Sequence, residues 1–356
     1  MFKLRKSLFL AAIAMSLMSC GDENLSNDSQ VRDYSSTFKA LPSEAIYPAN
    51  NQYSAAKEQL GELLFWDPIL SGEQNTSCAS CHHPEFAWAD GRQFSIGADG
   101  VGLGPDRVGN DLTPIHSPTI TNVAFTGLTM EHDINNFVSG GYFWDLRADT
   151  LEAQALQPIQ NPVEMLGHNI PQENALQEVL LRLQANPEYV ALFNQAFDGT
   201  QNITSDNLAK ALATFQRKIV SVNSRFDQFL LGNETVFSEQ EMIGLNKFID
   251  GGCADCHSGP MLSDNLLNDE EPIVGNETVR TATLRNIALT SPYMHNGSIL
   301  TLRDAVAIYE DREDLDVNIG EGDIADITAF LHTLTSSSFY KDKPESVPSG
   351  LPPGGL

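Results

Sequence analysis

The chain has 356 residues, 41% of them hydrophobic, and a formal net charge of −26. That charge would repel phosphate, which argues against nucleic acid and anionic membrane surfaces as partners, and it would attract a basic redox protein. The length supports two domains, each large enough to bury its own core.

Residues 1–20 begin with Lys3, Arg5 and Lys6 and continue in an apolar run too short to span a bilayer, the pattern of a secretory signal. Leu17 and Ser19 precede Cys20 as in a bacterial lipoprotein cleavage site, so the expected location is the periplasmic side of the envelope, with a lipid on Cys20 as the only membrane link. Residues 21–40 are polar and lack apolar periodicity, which predicts a flexible tether. In residues 53–65 the spacing of Ala56, Leu60, Leu63 and Leu64 predicts an amphipathic helix.

Next comes Cys78-Ala79-Ser80-Cys81-His82, echoed later by Cys253-Ala254-Asp255-Cys256-His257. Two thiols on one turn can each add to a haem vinyl group, and the histidine that follows reaches the iron, so each segment reads as a c-type haem attachment site. A four-cysteine zinc site or a pair of disulfides would use the same cysteines, but zinc leaves the histidine after each pair without a role.

Between the two segments, residues 91–118 hold Gly97, Gly100, Gly102, Gly104, Pro105, Gly109 and Pro114, which predicts a long loop. Helical spacing recurs over residues 171–197 and 207–231, the latter carrying the chain from one domain to the next. Strand-like alternation is almost absent, so the expected class is mainly α. The Pro- and Gly-rich residues 341–356 are expected to be disordered.

A weak repeat links the halves. Thr119-Ile120-Thr121-Asn122-Val123-Ala124 matches Thr283-Leu284-Arg285-Asn286-Ile287-Ala288, and Thr150-Leu151 matches Thr301-Leu302. Six residues before the paired threonines stand Trp144 and His295; eight after them stand Pro158 and Tyr309. Proline offers no side-chain ligand whereas a phenolate binds iron, so the first haem is expected to keep an open distal face and the second to be closed by Tyr309, with Met294 as the rival ligand. An open ferric haem that takes up peroxide needs a buried carboxyl group to move a proton between the two oxygens, and Glu164, in a Pro-bounded turn beside Val163 and Met165, is the candidate.

Together these stretches resemble the bacterial dihaem cytochrome c peroxidases and their MauG-type relatives, over nearly all of the chain after residue 40. The resemblance implies two cytochrome c-like haem domains in tandem, with long loops and little strand: an amino-terminal peroxidatic domain at 41–225 and a carboxy-terminal electron-transfer domain at 226–340. It implies two covalently bound haem c groups, with His82 and His257 as proximal iron ligands. Glu164 would be the acid/base, Gln154 its distal companion, Pro158 the open-face residue and Trp144 the aromatic between the haems. A calcium ion would take backbone oxygens at Thr290 and Pro292, although His116 stands where relatives have a calcium-binding asparagine and imidazole suits calcium poorly. Ala98 stands where peroxidase-branch members have a capping histidine, and Tyr309 where they have methionine; both substitutions lean towards the MauG branch. His83 and His116 are the imidazoles left to cap the first iron.

Three functions follow, in order. The first is reduction of hydrogen peroxide to water with electrons from a small cytochrome c or cupredoxin, relayed from the second haem to the first. The second is MauG-like oxidation of a protein side chain through a high-valent dihaem state, and the third is plain electron transfer by a dihaem cytochrome. A homodimer is in keeping with the resemblance.

Overall fold

The computed structural model of the chain describes residues 32–268, 278–310, 312–336 and 338–355. The signal and Cys20 lie outside them. Among the described residues the fold is helical, and the one sheet is a pair of two-residue strands, β1 (Leu267–Asn268) and β2 (Val279–Arg280). No described helix is long and apolar enough to cross a membrane.

The helix foreseen at 53–65 is α1 (Ala55–Trp66), started by the Ser54 side chain, which accepts from the Lys57 amide. After the first Cys-x-x-Cys-His segment the chain runs through the glycine-rich loop with only short turns until α2 (Leu151–Ala155) and α3 (Gln157–Gln160). Then follow α4 (Ala175–Ala185), α5 (Pro187–Ala196), α6 (Ser205–Lys218) and α7 (Arg225–Leu230). The second half adds α8 (Glu239–Asp250), α9 (Cys253–Cys256), α10 (Leu302–Ala307) and α11 (Glu321–His332).

Each half is built on one helix crossing, α1 on α6 and α8 on α11. Both crossings run through a glycine. A Cβ at Gly61 would fall 2.0 Å from the Ala211 carbonyl oxygen, and one at Gly244 would fall 1.9 Å from that of Asp326. Only a residue without a side chain lets the backbones come so close. The apolar residues gather accordingly: Leu60, Leu64, Trp66, Trp88, Leu212 and Phe215 in one cluster, Phe226, Leu245, Phe248, Ile327 and Phe330 in another. A smaller third cluster joins Leu41, Phe125, Leu128 and Met261.

The repeat seen in sequence is also one of conformation. Asn122 and Asn286 both adopt left-handed backbone angles (φ 65° and 58°), a region asparagine tolerates better than most residues, and each opens a single 3-10 turn. Thr150 and Thr301 cap α2 and α10 in the same way, each side-chain oxygen accepting the amide three residues on.

Two expectations about the ends of the chain are corrected. Residues 34–40 do not behave as a tether: Phe38 is 1% exposed and packs edge-on against Phe226, and the Tyr34 hydroxyl donates to Asn246. Residues 341–355 are not disordered either. Val347 is buried in the first cluster, the Ser349 hydroxyl donates to Asp67 (2.6 Å) and the Gly354 amide donates to the Trp66 carbonyl (2.7 Å). Proline and glycine in this stretch serve a path whose backbone groups are satisfied by residues far away in sequence, and composition does not report that.

Candidate haem sites

In both attachment segments the thiols lie on a single turn. The His82 amide donates to the Cys78 carbonyl (3.0 Å) and the His257 amide to that of Cys253 (2.9 Å). None of the four described cysteines is in a disulfide; burial pushes the Cys78 and Cys81 thiols up to about 12 and that of Cys253 up to about 11. The zinc alternative fails on geometry, since among the described residues no three His, Cys, Asp or Glu side chains converge as a metal-binding group.

Each histidine is held through one ring nitrogen. His82 Nδ1 lies 3.2 Å from the Trp88 carbonyl oxygen and His257 Nδ1 lies 3.0 Å from that of Leu262. Donation from Nδ1–H fixes the tautomer and leaves Nε2 as the free lone pair, the arrangement wanted of an axial iron ligand. Trp88 and Leu262 both have positive φ (62° and 48°), which turns their carbonyls towards the rings. The residues present therefore fit two covalently attached haems.

A further feature fits the same groups. Arg280, on β2, has its Nε buried without a hydrogen-bond partner, while one terminal nitrogen donates to Asn265 (2.9 Å) and its own amide donates to the Trp144 carbonyl (2.8 Å). Burial lowers this guanidinium to about 10. A cation held this way would suit an anionic haem propionate; no local motif surrounds Arg280, so the sequence alone does not single it out.

The repeat-related residues Trp144 and His295 meet edge to face with centroids 6.3 Å apart. The Trp144 indole donates to the His116 carbonyl (2.9 Å), and the His116 amide donates to that of His295 (2.8 Å). The His116 ring is engaged by the Arg92 carbonyl (2.9 Å), and a charge on it would act on His82. His83 accepts from the Glu85 amide (3.3 Å) and caps its own turn. Both imidazoles thus have structural work that ties them down. Thr290 is buried at the end of a 3-10 turn, and Pro292 follows a cis peptide bond.

Glu164 lies in a single π turn, Pro162–Leu166, a rare geometry that recurs at functional sites. Asn161 donates to its Oε1 (2.6 Å). Burial raises its carboxyl pKa above the ordinary value, with Arg147 and the Asn161 bond opposing. It opens on a cavity of ≈ 380 Å³ lined also by Arg147, Gln157, Gln160 and Gln172. Gln154 is half-buried on α2 and is not among the lining residues. Ala98, in the glycine-rich loop, is buried against this same turn, its amide donating to the Val163 carbonyl (3.0 Å), and a Cβ on Gly97 would fall 1.8 Å from that oxygen.

Pro158, in the first turn of α3, and Tyr309, just past α10, keep equal offsets from their capping threonines. Tyr309 packs against the second apolar cluster, as does Met294. Its phenol is pushed up by burial, and the neighbouring Cys253 and Cys256 act in the same direction, which places the ring beside the second attachment turn.

A family model described as di-haem cytochrome c peroxidase matches residues 55–235. The cytochrome c551 peroxidase of Pseudomonas aeruginosa is 33% identical over 324 residues, 85% of each chain. The methylamine utilization protein MauG of Methylorubrum extorquens is 32% identical over 319 residues, 82% of each chain. A MauG-like protein associated with microbial copper homeostasis, known from its crystal structure, aligns with a TM-score of 0.67 at 28% identity, over 84% of this chain and 95% of that one. With its paired attachment turns and this breadth of similarity, the chain belongs to the di-haem cytochrome c peroxidase family.

Proposed function

We propose that the protein reduces hydrogen peroxide to water, with Glu164 as the acid/base at the first haem. The observation that carries this reading is a carboxyl group held by Asn161 on a π turn, raised in pKa by burial and open to a cavity. When bound, the haems supply iron that takes up H2O2 and the two electrons that reduce it. Cys78, Cys81 and His82 would hold the first and Cys253, Cys256 and His257 the second. Glu164 removes the proton from the inner oxygen of H2O2 and delivers it to the outer one, which leaves as water. The oxygen left behind takes the two electrons, which come from the external donor, and two protons from solvent, so that H2O2, two electrons and two protons give two waters. Ala98, where a capping histidine would stand, leaves the approach free, and Trp144 lies between the halves on the electron path. The acidic chain suits a basic donor, a small cytochrome c or cupredoxin. Export by residues 1–20, with a lipid on Cys20, would place it at the periplasmic face.

Steady-state turnover of H2O2 with a reduced donor tests this reading. Glu164→Gln is expected to lower kcat/KM by about 10²- to 10⁴-fold with both haems retained; unchanged turnover removes Glu164 from the chemistry.

Tyr309 supports a second reading, MauG-like oxidation of a protein side chain. A phenolate on the second iron stabilises its ferric state and lowers its potential. Tyr309→Met is expected to raise that potential and to change the EPR spectrum of the oxidised protein; an unaltered spectrum would exclude Tyr309 as ligand.

A further inference from the structure

The segment after α11 returns to the first attachment turn at two points. Ser80, between Cys78 and Cys81, donates its hydroxyl to the Gly354 carbonyl (2.7 Å). Trp88, whose carbonyl orients His82, donates its indole N–H to the Tyr340 carbonyl (2.7 Å) and stacks on the Tyr340 ring at 15°. Between these points the segment is pinned by Ser349 on Asp67 and by Asn186 on the Pro348 carbonyl (2.8 Å). Tyr340 is itself fixed, its hydroxyl bonded to Glu62 and the Lys218 ammonium 4.3 Å above its ring.

We infer that residues 339–355 form a positioning strap that sets the orientation of the His82 imidazole, and with it the reduction potential of the first haem. The inference rests on the reading of His82 as an iron ligand. Trp88 has no freedom of its own: it is 0% exposed and lies between Phe65, Phe215 and Tyr340, so movement of Tyr340 carries its backbone along. A firm Nδ1–H···O=C bond makes the imidazole a stronger donor to ferric iron and holds the potential down; slackening the bond raises it. Tyr340 and Gly354 act here through Trp88 and Ser80.

The test is a spectroelectrochemical titration of both haems in the dihaem holoprotein. In Tyr340→Ala, and in a chain ending at residue 344, the first midpoint is expected to rise while the second stays at the parent value. Tyr340→Phe, which keeps the stack, should restore the parent midpoint. Should the shortened chain fail to fold, Tyr340→Ala and Ser80→Ala decide by the same titration. Unchanged midpoints, or two midpoints moving together, would overturn the strap. A His82→Ala holoprotein whose first-haem spectrum is unaltered would instead overturn the ligand assignment on which it rests.

Discussion

Glu164 carries two opposed demands on one carboxyl group, a fold that disfavours its charge and a reaction that uses it. Its pKa is raised in the folded chain, chiefly by burial. The stability it contributes is therefore fully present below the unfolded value of about 4.3 and is lost as pH rises through the higher folded value. Glu164→Gln cannot ionise and still accepts from Asn161, so it should melt at a higher temperature than the parent near pH 7 and equally near pH 4. In the parent, kcat/KM should fall on the acid side through an apparent pKa above the ordinary carboxyl range, and that limb should vanish in Glu164→Gln. At this scale the sequence was legible where the chemistry it suggests demands contiguity: both Cys-x-x-Cys-His segments fall on a single turn, with the histidine Nδ1 held by a nearby carbonyl. It was silent on Arg280, whose neighbours Trp144 and Asn265 are brought together only by folding. Gln154, assigned by resemblance, stands outside the cavity of Glu164.

Among the elements, the glycine crossings decide how closely each attachment turn can be held. Because a Cβ at Gly61 would strike backbone on α6, Gly61→Val should separate α1 from α6, lower stability by about 1–3 kcal/mol and broaden the first haem's spectrum more than the second's. Gly244→Val should do the converse through α8 and α11, and holoprotein melting with absorption spectra checks both. Apolar spacing made α1 and the run from α4 to α7 readable, and the repeat paired the threonines that turn out to cap α2 and α10. Neither Gly61 nor Gly244 stood out, because a glycine inside a helix signals weakness locally and close packing only when its partner is known. The π turn was equally hidden: Pro162 announced a bend, but not one with the wider ring of hydrogen bonds.

Taken as a whole, the chain ends are crossed. Residues 34–39 pack on the second cluster: the Gly259 amide, two residues past His257, donates to the Thr37 carbonyl (2.9 Å), and Arg285 reaches both Asp227 (2.7 Å) and the Lys39 carbonyl (3.3 Å). Residues 339–355 pack on the first. Each half thus holds a segment that belongs by sequence to the other, and Tyr34–Leu356 forms one compact unit. Phe38→Ala should cost about 3–5 kcal/mol and lower a single calorimetric transition of the holoprotein; two separated transitions would show the halves to be independent. Composition misjudged both ends for one reason: polar and Pro/Gly-rich stretches look unstructured until the distant surface they cover exists.

The bond between Ser80 and Gly354 spans 274 positions. During synthesis, the pocket built around residue 82 has to wait for nearly the entire remainder of the polypeptide to emerge before it can close.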